Sequence, residues 1–167
     1  MTQPLSSVAS STRAWLLALA CCGAAVLAQA QVQLHAQPAK FDPARNAAAD
    51  VKAATQAARA QHKQVLVDVG GEWCIWCHIL DKFIASHEPV KRLVDENYVV
   101  VKVNFSPQNR NEAVLSQWPK VKGYPHLFVL DDQGRLVHSQ DTSELEAGKD
   151  YDEAKVIAFL RQHRRAN

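Results

Sequence analysis

Val65-Leu66-Val67-Asp68-Val69-Gly70-Gly71-Glu72-Trp73-Cys74-Ile75-Trp76-Cys77-His78 is the stretch that decides the fold. Its first residues form a valine-rich run stopped by two glycines, the pattern of a buried central strand. Beyond the cysteines, Ile79, Leu80, Phe83 and Ile84 recur at helical spacing. Strand, turn and amphipathic helix follow in order, which places Cys74 at a helix N-terminus. Unpaired backbone N–H groups and the positive dipole end favour an anion there. A thiol so placed is readily deprotonated, and the thiolate is the nucleophile. Cys77 falls within the first turn and reaches the same sulfur. Cys74 can then attack a disulfide, and Cys77 can resolve the mixed disulfide.

Outward from this motif, strands and helices alternate. Asn46 to His62 is Ala-rich with few breakers and predicts a helix. Pro89 kinks or restarts the helix that follows the cysteines. Tyr98 to Val103 is a second buried strand, and residues 105–111 form a polar loop. Glu112 to Gln117 predicts a short helix, and His126 to Leu130 a third strand. Asp131-Asp132-Gln133-Gly134 is a turn after which Arg135 to His138 pairs back as a hairpin. Val156, Phe159, Leu160 and His163 mark a last amphipathic helix. The expected class is α/β, a β-α-β-α-β-β-α core with a mixed central sheet, preceded by one helix.

Two further features sit close to the motif. Asp68 is a carboxylate within an apolar strand, which is costly unless paired or used. Burial there would raise its pKa and suit a proton acceptor for Cys77; an exposed strand edge or a turn cap is the plainer alternative. Tyr124-Pro125 precedes a strand and is compatible with either a cis bond or an ordinary trans proline. Trp73 and Trp76 flank the sulfurs and offer a docking surface, Trp73 reading more as packing. Glu72 reads as a solvated loop residue, and His78 either biases the Cys77 thiol or faces solvent.

The ends of the chain carry different signals. An apolar run from Ala14 to Leu27 ends in Ala28-Gln29-Ala30, a small-x-small cleavage pattern. Residues 1–30 are expected to be a secretory signal, too short in its apolar part for a comfortable membrane span. A lipoprotein signal using Cys21 or Cys22, or an uncleaved anchor, is the alternative. Residues 31–45, rich in Gln, Ala and Pro, read as a linker, and residues 46–167 as the folded domain. Cleavage would leave Cys74 and Cys77 as the mature cysteines. A bridge closing so short a loop constrains an unfolded chain little, which argues for chemistry rather than architecture. Export places the pair where disulfides persist, in a periplasm or a similar compartment. Lys plus Arg number 19 against 17 Asp plus Glu, a net charge of +2. A chain so balanced, with its short basic run at the last helix, is not expected to bind nucleic acid.

From Val65 through Cys77, and then at Gly123-Tyr124-Pro125, the chain resembles the thioredoxin superfamily, over roughly residues 46–165. The Trp-Cys-x-Trp-Cys-His form is similar to a subgroup of exported thioredoxin-like proteins. The resemblance implies Cys74 as nucleophile, Cys77 as resolving thiol, Asp68 as the buried acid six residues before the first cysteine, and Pro125 as a cis-proline facing the pair. It implies protein thiols and disulfides as substrates and no bound cofactor beyond the redox-active Cys74–Cys77 disulfide. Two departures stand out. Ile75-Trp76 replaces the Gly-Pro of thioredoxin and the Pro-His typical of periplasmic oxidants, and Tyr124 is bulkier than the usual Thr or Val. A reductant is the preferred direction, fed outside the cytoplasm by a membrane thiol-transfer electron donor. An isomerase or oxidase of the same fold is the alternative.

Three rival readings remain. Cys74-Ile75-Trp76-Cys77-His78 is also a c-type haem attachment pattern, but Met1 is the one methionine and a strand-rich chain suits that use poorly. A structural zinc site wants a second close pair of ligands, which the mature chain lacks. A non-catalytic binding module of the same fold would have no need of both cysteines.

Overall fold

The computed structural model describes residues 40–166, so the expected signal at residues 1–30 lies outside the described residues. Helix α1 (Ala47–Gln61) opens with the Asn46 side chain accepting the Ala49 N–H and closes at His62 in the left-handed region. Strand β1 (Gln64–Gly70) follows and is buried along its whole length. Its neighbours explain that burial. β1 pairs in parallel with β2 (Tyr98–Asn104) and antiparallel with β3 (His126–Leu130), whose far side carries β4 (Leu136–Asp141). The sheet order is therefore β2-β1-β3-β4. A strand covered on both faces must be apolar almost throughout, as the Val-rich run predicts.

Helices cover both faces. On one face, α1 and the single turn α4 (Glu112–Leu115) pack Ala54, Ala58 and Val114 onto Val67, Val69, Val101 and Phe128. On the other, α2 (Ile75–Ser86), α3 (Glu88–Asn97) and α5 (Glu153–His163) bring Leu80, Phe83, Val94 and Phe159 against Leu66 and Val129. The helix restarts at Pro89, which occupies the first turn of α3 where its missing N–H costs nothing. The expected α/β class and element order are those of the structure.

The differences have local causes. α5 begins at Glu153, before its first apolar position, because the Asp152 carboxylate caps it by accepting the Lys155 N–H. β4 runs on to Asp141 and leads into a 3-10 turn, Thr142–Leu145, then a small hairpin of β5 (Glu146–Ala147) and β6 (Asp150–Tyr151). Strands of two residues carry no readable periodicity. The packed chain also starts before Asn46: Phe41, inside the stretch read as linker, is 1% exposed.

Candidate active site

The site begins where β1 ends. Gly70 and Gly71 turn the chain, and Cys74 becomes the N-cap of α2, its sulfur accepting the Cys77 N–H at 3.1 Å. The two sulfurs are joined as a disulfide with their Cα atoms 5.3 Å apart. Both cysteines are buried, Cys77 completely. The glycines are required by close approach. A Cβ on Gly70 would fall 2.4 Å from the Cys77 sulfur, and one on Gly71 would fall 2.3 Å from the Trp73 indole nitrogen.

Asp68 lies on the same face of β1 as Gly70, two residues away, by the alternation of a strand. It is buried and faces Lys102 of β2 across the parallel register. The Lys102 ammonium donates to Asp68 Oδ2 at 2.8 Å and to Asp81 Oδ1 of α2 at 2.6 Å. The other oxygen, Asp68 Oδ1, is buried without a hydrogen-bond partner among the described residues. Burial pushes the Asp68 pKa above the ordinary carboxylate value, and the opposing pull of Lys102 does not cancel that push. Burial also opposes the Lys102 charge, yet Asp68 and Asp81 together hold its pKa above the usual lysine value.

A third component comes from the stretch before α1. The Phe41 ring clusters with Cys74 and Cys77, with Trp76 and Tyr124 at the margin. The Lys102 ammonium sits 4.1 Å from the centre of that ring. The Phe41 N–H donates to Glu72 Oε1 at 2.8 Å, so Glu72 is an anchor rather than a merely solvated residue. His78 is exposed, with its Nε2 2.9 Å from the Glu72 carbonyl oxygen.

The aromatic residues divide into two roles. Trp73 is 56% exposed, contrary to its reading as packing, because its indole N–H donates to the Phe105 carbonyl at 2.8 Å and holds the ring at the surface. Tyr124 stacks on Phe105 and meets Trp73 edge-on. Trp76 instead turns inward against Tyr151. Ile75, between the cysteines, is 68% exposed. The Tyr124–Pro125 bond is cis, and the Pro125 carbonyl accepts the Thr142 hydroxyl at 2.6 Å. Beside Tyr124 opens an apolar cleft of about 440 Å³ lined by Phe105, Leu115, Trp118 and Val121, with Lys120 at its edge.

The structure thus gathers Cys74, Cys77, Trp73, Tyr124 and Pro125 at one end of the sheet, with Asp68 two residues before Gly70 on the same face of β1. Lys102, Asp81, Phe41 and Phe105 were missed. Lys102 could have been found by the logic applied to Asp68, since a lone lysine in an apolar strand also needs a partner. Among the described residues, no group of three or more His, Cys, Asp or Glu side chains is gathered to hold a metal ion. None of the described helices is long and apolar enough to cross a membrane.

Comparison with known proteins agrees with this geometry. Residues 46–132 match the family model described as Thioredoxin-like. The thiol:disulfide interchange protein DsbD of Yersinia pestis is 30% identical over 80 residues, 48% of this chain. That match spans only 13% of the Yersinia protein. Among solved structures, a disulphide isomerase from Xylella fastidiosa superposes with a TM-score of 0.63 at 24% identity, covering 76% of this chain and 96% of that one. The reduced C-terminal domain of Neisseria meningitidis DsbD gives a TM-score of 0.51 at 27% identity, covering 71% of this chain and 97% of that domain. The chain therefore belongs to the thioredoxin-like family, and it carries a thioredoxin-type fold with the Cys74–Cys77 disulfide at the start of α2.

Proposed function

We propose that this protein exchanges dithiol for disulfide with protein cysteines outside the cytoplasm, acting as a reductant. The observation that carries the proposal is the disulfide at the N-terminus of α2 together with a buried, half-satisfied carboxylate on the same strand face as Gly70, whose missing side chain admits the Cys77 sulfur. In the reduced protein, the Cys74 thiolate attacks one sulfur of a substrate disulfide. The substrate S–S bond breaks, and its released thiolate takes a proton from solvent. Cys77 then gives its proton to Asp68, through the free Oδ1, and its thiolate attacks the Cys74 sulfur. The second substrate thiolate leaves, and two electrons have passed to the substrate. The product is the Cys74–Cys77 disulfide, which a dithiol donor must reduce before the next cycle. The electrons reside on the sulfurs, so the cycle needs no bound cofactor.

Trp73, Tyr124 and the cleft beside Phe105 supply the substrate surface, and Pro125 borders it. Trp76, like Tyr124, packs at the margin of the cluster of Phe41 and the two cysteines. Likeness to proteins named for thiol:disulfide interchange supports exchange with protein thiols. The export reading of residues 1–30 supports a compartment outside the cytoplasm, and hence a membrane thiol-transfer donor.

The deciding experiment is the reduction potential of the Cys74–Cys77 pair in a glutathione buffer. A value at or below about −230 mV, on the thioredoxin side, is expected of a reductant. A value above about −180 mV overturns the direction in favour of isomerase or oxidase. In parallel, Cys77→Ser should accumulate mixed disulfides and Cys74→Ser should not. Equal behaviour of the two variants would overturn the assigned roles.

A further inference from the structure

Phe41 lies in a stretch that pattern alone assigns to a linker, yet it is as buried as any core residue. Its ring is in the cluster with both sulfurs and carries the Lys102 ammonium over its face. The position a Cβ would take on Gly70 is 2.4 Å from the Cys77 sulfur and 3.1 Å from Phe41 Cζ. Sulfur and ring therefore crowd the same bare backbone, and the missing side chain at Gly70 is what admits both. The backbone of the segment is fixed by the Phe41 N–H to Glu72 hydrogen bond, and Glu72 belongs to the turn that carries Cys74. The segment is also tied by Asn109, whose side-chain amide donates to the Pro43 carbonyl at 2.9 Å.

We infer that Phe41 is a positioning residue of the redox centre, a clasp locked by Glu72 that keeps water from the Cys77 sulfur and from the Lys102–Asp68 pair. The inference rests on the reading of Cys77 as the resolving thiol. Its physical basis is twofold. An ion pair in low dielectric interacts far more strongly than one in water. A thiol away from water resists ionisation until a fixed base takes its proton. With the ring in place, Cys77 loses its proton to Asp68 and not to solvent. With the ring removed, water competes for both steps, and the resolving thiol becomes an ordinary exposed one. Phe41 acts through the groups it covers and takes no part in bond making.

The test uses the reduced full chain carrying Cys74→Ser, with Phe41, Phe41→Ala or Phe41→Leu. Iodoacetamide labelling of Cys77 is followed against pH and read on the Cys77 peptide by mass spectrometry. Phe41→Ala should raise the labelling rate at neutral pH at least tenfold and move its pH midpoint downward, because water now stabilises the thiolate. Phe41→Leu, which refills the space, should return both most of the way. A folded Phe41→Ala protein with unchanged rate and midpoint overturns the inference. If Phe41→Ala does not fold, Glu72→Ala decides, since it releases the clasp while leaving the ring. It should speed labelling severalfold with the same downward shift, and an unchanged profile overturns the inference. The readout involves no substrate or electron donor, so a protein that failed as a reductant could still pass, and one that reduced disulfides well could still fail.

Discussion

Asp68 and Lys102 occupy matched positions on two parallel neighbours, β1 and β2, and meet as an ion pair at 2.8 Å with only one oxygen of the carboxylate engaged. The pair is asymmetric. Lys102 has a second partner in Asp81, whereas Asp68 has no second donor among the described residues.

That asymmetry fixes a pH dependence. In the proposed cycle Asp68 must be ionised to accept the Cys77 proton, and burial raises its pKa above the ordinary carboxylate value. The resolving step should be slow below that raised pKa and accelerate as pH rises through it. Release of a chromophoric aromatic thiol from its mixed disulfide with Cys74 measures the step directly. Asp68→Asn should slow release by about 10²-fold and erase the inflection. Lys102→Met should move the inflection upward, because the lysine opposes the effect of burial. Superimposable wild-type and Asp68→Asn profiles would remove Asp68 from the mechanism.

Gly70 gives a steric prediction. A methyl group there would fall 2.4 Å from the Cys77 sulfur and 3.1 Å from Phe41 Cζ, so something must shift to admit it. Gly70→Ala should destabilise the oxidised protein by about 1–3 kcal/mol, the usual cost of overpacking. It should destabilise the reduced protein less, because a free thiol can rotate away. Chemical denaturation in both redox states checks this, and equal losses would contradict it.

The two tryptophans beside the pair should behave differently. Trp73→Ala removes an exposed ring, so KM for a protein disulfide should rise severalfold with kcat nearly unchanged. Trp76→Ala removes packing against Tyr151 and should cost about 2 kcal/mol, roughly half the cost for a fully buried tryptophan. Steady-state kinetics and thermal unfolding separate the two. A stability loss at Trp73 with KM unmoved would assign it to packing after all.

Much of this was legible in the sequence because it was carried by contiguous patterns. The strand of residues 65–69, the helix after the cysteines and the hairpin turn at Gly134 each declare themselves within a few residues. Asp68 declared itself by being out of place. The remainder depended on pairings across the chain. Nothing local marks Phe41, a single aromatic among Gln, Ala and Pro, as a wall of the site. The exposure of Trp73 follows from the Phe105 carbonyl, which no periodicity reveals. Glu72 lies in the motif itself, yet its partner is the Phe41 amide, on the far side of α1 in sequence.

Those separations bear on when the site comes into being during folding. Phe41 to Glu72 spans 31 residues, Trp73 to Phe105 spans 32, and Asp68 to Lys102 spans 34. Contacts so distant along the chain form only once the cost of loop closure has been met. A nascent or thermally loosened chain therefore lacks the groups proposed as acid, shield and platform beside its two thiols. On the proposed mechanism, selective exchange requires β2 docked on β1 and the segment around Phe41 closed. Chemical competence, on that mechanism, is a property of the closed tertiary structure and not of the motif.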